Sequence, residues 1–392
     1  MYIRHLSLVD FRSWSTAELP LEPGPTVLVG HNGAGKTNLI EAIGYLATLG
    51  SHRVATDTPL IRRGAEVARV AAAVVSDGRQ LTVEVDITAG KANKARINKA
   101  PQRRARDILG IVRAVVFAPE DLELVRGDPG DRRRFLDDLL VMRAPRLAGV
   151  KADYDKILRQ RSTLLKSAGG ARRSGSQLAT LDVWDEHLAA TGAELLAARL
   201  LLLDELRPYL TAAYASIASD SWDADIGYRT ALFAGEQQDG KSMGDSEVQS
   251  GIDPSMRGAE DLAAALRAEM GRLRSQELDR GVCLVGPHRD DMDINLQGGP
   301  AKGYASHGES WSLALALRLA SFELLRSDGI ESILLLDDVF AELDVTRRDT
   351  LTDIAAGAEQ TIITVAVAGD VPARFVGRAL PIADGVIGQV AP

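Results

Sequence analysis

Gly30-His31-Asn32-Gly33-Ala34-Gly35-Lys36-Thr37 follows the apolar run Val27-Leu28-Val29 and precedes Asn38-Leu39-Ile40-Glu41-Ala42-Ile43-Gly44-Tyr45-Leu46. The eight residues fit G-x-x-x-x-G-K-[ST], the phosphate-binding loop of nucleotide hydrolases. The apolar run reads as a short buried strand, and the segment after the loop reads as a helix. Glycines let the backbone curl until successive N–H groups point into one concavity, which suits an anion. On this pattern Gly30, His31, Asn32, Gly33, Ala34 and Gly35 cradle the phosphates of ATP. Lys36 reaches the β- and γ-phosphates, and the Thr37 hydroxyl ligates Mg²⁺. The helix turns the positive end of its dipole toward them. The order strand, loop, helix separates this motif from a glycine-rich turn with a chance Lys-Thr pair.

The chain has 392 residues, 45% hydrophobic and 26% charged, enough for a sizeable core and about two lobes. Met1-Tyr2-Ile3-Arg4-His5 has no apolar signal core, and no apolar run approaches a membrane span of about 18 residues. The single cysteine, Cys283, lies in Val282-Cys283-Leu284-Val285 and is expected as a buried strand thiol. These features predict a cytoplasmic protein. The net charge of −8 means that any nucleic-acid site must be a local basic patch. Aromatics at 5% do not advertise a platform for stacking single strands.

Strand signals occur at residues 2–9, 68–75 and 81–87, with the turn Asp77-Gly78 between the last two. Residues 91–106 hold seven basic side chains and no acid: Lys91, Lys94, Arg96, Lys99, Arg103, Arg104 and Arg106. Two readings fit. One is contact with a phosphate backbone, which needs charge but no base reading. The other is a hairpin edge protected by charge. Val112 to Phe117 reads as a buried strand. Helical periodicity then runs from Asp131, through Tyr154 to Leu165 and Leu181 to Leu206, with a turn at Gly169-Gly170 and Ser174-Gly175-Ser176. Residues 224–231 suggest a strand, 235–258 a flexible insertion, 259–278 an amphipathic helix and 281–296 further strand. His288 with Asp290, Asp291 and Asp293 fits no metal-ligand spacing, which favours a polar loop.

Ile333-Leu334-Leu335-Leu336-Asp337-Asp338 is a buried strand ending in two carboxylates. Placed parallel to the strand before the phosphate loop, it sets Asp337 near Mg²⁺ and Asp338 where it polarises the attacking water. Ser306-His307-Gly308-Glu309 opens a helix and fits the S-x-G-[E/Q] signature of ABC-type ATPases. By itself it is a plain helix cap. Its position just before the Asp-Asp strand makes Ser306, Gly308 and Glu309 contacts to the ATP of a second copy, and so predicts a head-to-tail homodimer. Glu342-Leu343-Asp344 fits the D-loop. The strand 361–367 lacks the switch histidine of transporter ATPases, leaving the water-positioning role absent or filled otherwise, with Thr364 as one candidate, and predicting slow turnover. Phe117-Ala118-Pro119-Glu120-Asp121 stands in the Q-loop region without a glutamine.

Nearly end to end, the chain resembles the RecF family, relatives of the SMC and Rad50 heads. The resemblance rests on Asp10-Phe11-Arg12, Gly30 to Thr37, Phe117-Ala118-Pro119-Glu120-Asp121-Leu122 and Arg132-Arg133-Arg134-Phe135-Leu136-Asp137. Gly286-Pro287-His288-Arg289-Asp290-Asp291 and Leu334 to Asp344 complete it. It implies an α/β ABC-type P-loop ATPase head, with mixed sheets around the P-loop helix and a mainly helical second lobe. The expected division is 1–127 and 328–392 for the ATPase lobe and 128–327 for the helical lobe with the signature. It also implies an ATP-dependent dimer that binds DNA gaps and duplex–single-strand junctions, works with RecO and RecR, helps load RecA, and hydrolyses ATP slowly for release. Glu309 departs from the glutamine that many members carry. The alternative is the ATPase subunit of a transporter. The long stretch between Thr37 and Ser306 and the missing histidine count against it.

Overall fold

A computed structural model describes residues 1–168, 175–218, 222–230, 232, 258–370, 378–383 and 385–388. The insertion expected at 235–258 lies outside these residues except for Gly258, as do Gly169, Gly170 and Ser174 of the expected turn. The chain opens with β1 (Tyr2–Phe11), β2 (Trp14–Pro20), β3 (Gly24–Val29) and α1 (Lys36–Thr48). Then come β4 (Val67–Ser76), β5 (Arg79–Thr88), β6 (Lys94–Ile97), β7 (Ala100–Pro101) and β8 (Ala114–Phe117). The middle of the chain holds α2 (Leu122–Arg126), α3 (Pro129–Arg143), α4 (Leu147–Ala168), α5 (Gly175–Ile217), β9 (Ala224–Arg229), α6 (Ala259–Arg280), β10 (Asp291–Leu296) and β11 (Gly299–Pro300). The last part holds α7 (His307–Ser327), β12 (Ile333–Asp337), α8 (Val345–Ala356), β13 (Gln360–Val365), β14 (Arg378–Ala383) and β15 (Val386–Ile387).

Two compact units result. Unit 1 comprises Met1–Glu123, Tyr209–Ser221 and Ser306–Pro392; unit 2 comprises Leu124–Pro208 and Trp222–Ala305. Helix α7 therefore groups with the phosphate-loop unit, whereas the sequence boundaries set it in the helical lobe.

Unit 1 holds two six-stranded sheets. The first is antiparallel, in the order β2-β1-β4-β5-β6-β7. Its strands alternate as a half-buried sheet requires: Ala68, Val70, Ala72 and Val74 of β4 are buried, as are Val83, Val85 and Ile87 of β5. The second has the order β15-β14-β3-β13-β12-β8, parallel from β14 to β8. Its central strands are buried on both faces: all five residues of β12 and all six of β13 are buried, Gln360, Thr361 and Thr364 included. Helix α1 is buried from Leu39 to Ala47 and shares a core with the first sheet.

Unit 2 is built from α3, α4, α6, most of α5 and the small sheet β11-β10-β9. Helix α5 continues past Leu206, where periodicity suggested an end, and through Pro208. Two strings singled out in the sequence lock this unit together. Arg132 donates to Asp291 through Nε and Nη2 at 2.7 and 2.8 Å, and Arg133 Nη1 donates to the Asp290 carbonyl at 2.7 Å. Arg199 forks onto Asp137 and also donates to the Pro287 carbonyl at 2.8 Å. Gly286 has φ +126°, and a Cβ there would lie 2.5 Å from the Tyr154 hydroxyl, so no other residue fits. His288, Asp290 and Asp291 are thus spent on internal partners, and among the described residues no cluster of three or more His, Cys, Asp or Glu suits a metal.

The expected strand at 281–296 shrinks to β10. Cys283 is buried, but in irregular backbone rather than a strand. Its Sγ accepts from Arg161 Nη1 at 3.1 Å. Arg161 is fully buried and also binds Asp185 at 2.6 Å and Glu277 at 2.5 Å. One guanidinium thus ties α4 to α5 and α6. Arg161→Ala strands two buried carboxylates and is expected to lower unfolding free energy by about 3–5 kcal/mol. Urea unfolding followed by circular dichroism measures it. A loss below about 1 kcal/mol would mean that the carboxylates find other partners.

Candidate functional site

Strand register brings the two distant motifs level. Leu28 of β3 pairs with Thr364 of β13, and Thr364 pairs with Asp337 of β12. The loop after β3 and the carboxylates after β12 therefore leave the same edge, the C-terminal edge where parallel sheets bind ligands.

The loop has little room for side chains. Gly33 and Gly35 have φ of +88° and +99°. A Cβ on Gly30 would lie 2.1 Å from the Ile382 carbonyl oxygen, and one on Gly35 would lie 2.9 Å from the Trp14 indole nitrogen. That nitrogen donates to the Gly35 carbonyl at 3.1 Å and pins the loop from behind. Lys36 Nζ arches back to the Gly30 and His31 carbonyls at 2.7 and 3.2 Å. Helix α1 starts at Lys36 with no side chain capping its first turn. Those N–H groups with the buried ammonium fit an anionic phosphate.

Thr37 Oγ1 donates to Asp337 Oδ1 at 3.0 Å across 300 residues of sequence. Thr364 Oγ1 donates to the same oxygen at 2.6 Å and accepts the Asp338 N–H at 2.9 Å. The Thr364 hydroxyl proton is therefore committed to Asp337, which leaves it no proton with which to orient a water. Burial pushes the Asp337 carboxyl up to about 6, against the two hydroxyl bonds and with the charges of Asp338 and Glu120. Burial also raises Asp338, opposed by the Lys36 ammonium. Asp338 has φ +51°, a strained value for a non-glycine residue, imposed where its backbone turns off the strand. A hydroxyl and one carboxylate are a sparse donor set. They suit Mg²⁺, which takes few protein ligands and completes its shell with phosphates and water.

Sequence reading missed the support behind the loop. Glu41 of α1 is fully buried and accepts Arg12 at 2.8 and 2.5 Å, and also accepts the Ser51 hydroxyl. Burial alone would raise the Glu41 carboxyl. The bonds from Arg12 and Ser51 outweigh it and hold the group below its ordinary range. The Asp10-Phe11-Arg12 string was the available signal. In the Q-loop region Asp121 accepts Arg318 of α7 at 2.9 and 2.6 Å.

Ser306 caps α7 in a reciprocal box: Glu309 N–H donates to its hydroxyl at 3.3 Å, and Ser306 N–H donates to Glu309 Oε2 at 2.7 Å. Ser306 is exposed, and a Cβ on Gly308 would meet open space. Among the described residues, no hydrogen bond or ion pair joins Ser306, Gly308 or Glu309 to the chain's own phosphate loop. The basic segment falls on the sheet edge formed by β6 and β7. Lys91, Lys94, Lys99, Arg103 and Arg104 are exposed there, whereas Arg96 is engaged by Asp86 at 2.9 Å and Glu84 at 3.5 Å.

Residues 2–370 match the model of the RecF/RecN/SMC N-terminal domain. The chain is 54% identical over 404 residues to the DNA replication and repair protein RecF of Rhodococcus erythropolis, covering 100% of this chain and 97% of that one. It is 57% identical over 384 residues to the RecF of Kineococcus radiotolerans, covering 96% of each. Among solved structures, the recombination mediator protein RecF with ATPrS superposes with a TM-score of 0.84 at 26% identity, covering 100% of this chain and 98% of that one. An Smc head domain of Pyrococcus furiosus, at 16% identity and a TM-score of 0.51, covering 99% and 95%, shares the fold alone. The ABC-type ATPase head is thus the fold, and the transporter reading finds no support in these relatives. The chain belongs to the RecF family of DNA replication and repair proteins.

Proposed function

We propose that this chain is an ATP-dependent DNA-binding protein of replication and recombinational gap repair, with ATP closing a head-to-tail homodimer. The observation that carries the nucleotide reading is the 3.0 Å bond between Thr37 and Asp337 at the mouth of a glycine-rich anion cradle. In this reading residues 30–37 hold the phosphates, and Thr37 with Asp337 holds Mg²⁺. Bound there, Mg²⁺ would offset charge developing on the phosphate oxygens. Asp338 takes the proton of the attacking water. Burial raises its carboxyl, which suits a base, and the Lys36 ammonium favours the ionised form. Ser306, Gly308 and Glu309 of one copy face the nucleotide of the other. With the Thr364 hydroxyl committed to Asp337 and no histidine on β13, the water lacks the orienting group of transporter ATPases among the described residues, which favours slow hydrolysis used for release.

The exposed cations Lys91, Lys94, Lys99, Arg103 and Arg104 are the proposed contacts to DNA phosphates at gaps and junctions. The family resemblance supports RecO and RecR as partners, help in loading RecA and a cytoplasmic location as parts of this reading. No helix among the described residues is long and apolar enough to cross a membrane.

Fluorescence anisotropy on a gapped duplex at one fixed salt concentration tests the coupling. ATP with Mg²⁺ is expected to tighten binding. Lys36→Ala should abolish the difference, and Asp338→Asn should preserve it while hydrolysis falls on the order of a hundredfold or more. Equal binding with and without ATP would break the coupling.

The raised Asp337 carboxyl makes a second test. A carboxyl that binds its proton more tightly when folded costs stability as pH rises from its ordinary 3.8 through about 6, and the full cost stands above that. Asn keeps the acceptor oxygen for Thr37 and Thr364. Asp337→Asn is therefore expected to raise unfolding free energy by up to about 3 kcal/mol near pH 7.5, with little change near pH 4. Unfolding curves at the two pH values measure it. The same gain at both would remove ionisation as the cause.

A further inference from the structure

Inside unit 2, α3, α4, α5 and the Gly286–Asp291 loop enclose a cavity of about 270 Å³ that the nucleotide reading leaves unused. Gly130 and Arg134 lie exposed at its rim, and Asp137, Tyr154 and Arg199 are buried in its wall.

Charge accounting in this wall leaves one cation over. Arg199 is neutralised by Asp137 through a two-pronged contact at 2.9 and 3.0 Å. Lys151 is matched by Asp155 at 2.9 Å. Asp138 and Arg134 have engagements of their own. Arg133 is different. It is half-buried, its Nη1 donates to a neutral acceptor, the Asp290 carbonyl, and it forms no ion pair among the described residues. The neighbouring imidazole adds no second cation. Tyr154 bonds His288 Nδ1 at 2.6 Å. Burial pushes His288 down to about 4, with Arg289, Arg133 and Arg161 adding to the effect, so the ring stays neutral near pH 7.

We propose that this cavity is a phosphate site, in which one phosphate group, free or esterified, sits against the Arg133 guanidinium. The remaining donors of Arg133 form the planar fork that matches two phosphate oxygens. The volume lies just under the roughly 300–1,000 Å³ of pockets for drug-sized ligands, which suits a phosphate with one sugar rather than a whole nucleotide. Two sources share this chemistry: a free sugar phosphate and a phosphodiester of a nucleic-acid backbone. The inference does not depend on the nucleotide site.

Calorimetry on the full chain tests it, with Lys36→Ala silencing the phosphate loop. The probes are inorganic phosphate, ribose 5-phosphate and a short blunt duplex. At least one is expected to bind, and Arg133→Ala should weaken that binding at least about tenfold. Loss with ribose 5-phosphate identifies a free ester, and loss with the duplex alone identifies a backbone phosphate. Gly130→Phe is the second variant. A Cβ at Gly130 meets nothing within 4 Å, so the ring is expected to fold without strain and close the rim. It should cause the same loss. Exposed Arg79→Ala, outside every proposed contact, should leave ribose 5-phosphate binding unchanged. If no probe binds, or if Arg133→Ala and Gly130→Phe both bind every probe as the parent does, the proposal is overturned.

Discussion

One oxygen atom organises the nucleotide end of this molecule. Asp337 Oδ1 accepts a hydrogen bond from Thr37, the last residue of the phosphate loop, and another from Thr364 on the strand between them. Three parallel strands must be in register for those bonds to form together, because β3, β13 and β12 supply the loop, Thr364 and Asp337 in turn. The sheet is therefore a measuring device, since a one-residue slip of any strand would turn its side chains to the opposite face. The buried carboxyl is costly to keep ionised, a cost that a cation beside it would offset.

Strain and support gather at the same edge. Asp338 holds a left-handed backbone, Gly30 and Gly35 admit no Cβ, and Trp14 grips the loop from the rear. Such features persist only where the surroundings over-determine them. Arg12 and Ser51 hold the Glu41 carboxylate inside α1, so the helix that presents Thr37 is fixed from its buried side. Unit 2 uses the same device with different residues. Arg132, Arg161 and Arg199 each bring buried carboxylates into place between elements. Buried ion pairs of this kind contribute little net stability compared with apolar packing, but breaking one is severe.

How much was legible follows from the range of each signal. The phosphate loop, the Asp-Asp strand and the helix cap at Ser306 are local patterns whose chemistry is written in adjacent residues. The central strands of the parallel sheet were legible because Val27–Val29, Val115–Phe117 and Ile333–Leu336 are apolar runs, whereas β14, which opens on Arg378, was not foreseen. Strand β2 escaped because Ser15, Thr16 and Glu18 interrupt its buried positions Trp14, Ala17 and Leu19. The end of α5 was misplaced because Pro208 normally stops a helix, yet here the helix continues. The place of α7 in unit 1 depends on tertiary contacts and has no local sign. The partners Arg12–Glu41 and Arg132–Asp291 were out of reach for the same reason: either arginine had many possible acids, and only the folded chain chooses. The commitment of the Thr364 hydroxyl to Asp337 likewise became visible only through register.

The central claim is that Thr37 and Asp337 meet in order to hold a divalent ion against a nucleotide. Electron paramagnetic resonance of Mn²⁺, titrated with a non-hydrolysable ATP analogue, measures this directly on the full chain. The account predicts that the chain binds Mn²⁺ tightly only when the analogue is present, and that Asp337→Asn loses that binding while the analogue itself still binds. Mn²⁺ binding of unchanged affinity in Asp337→Asn would contradict it.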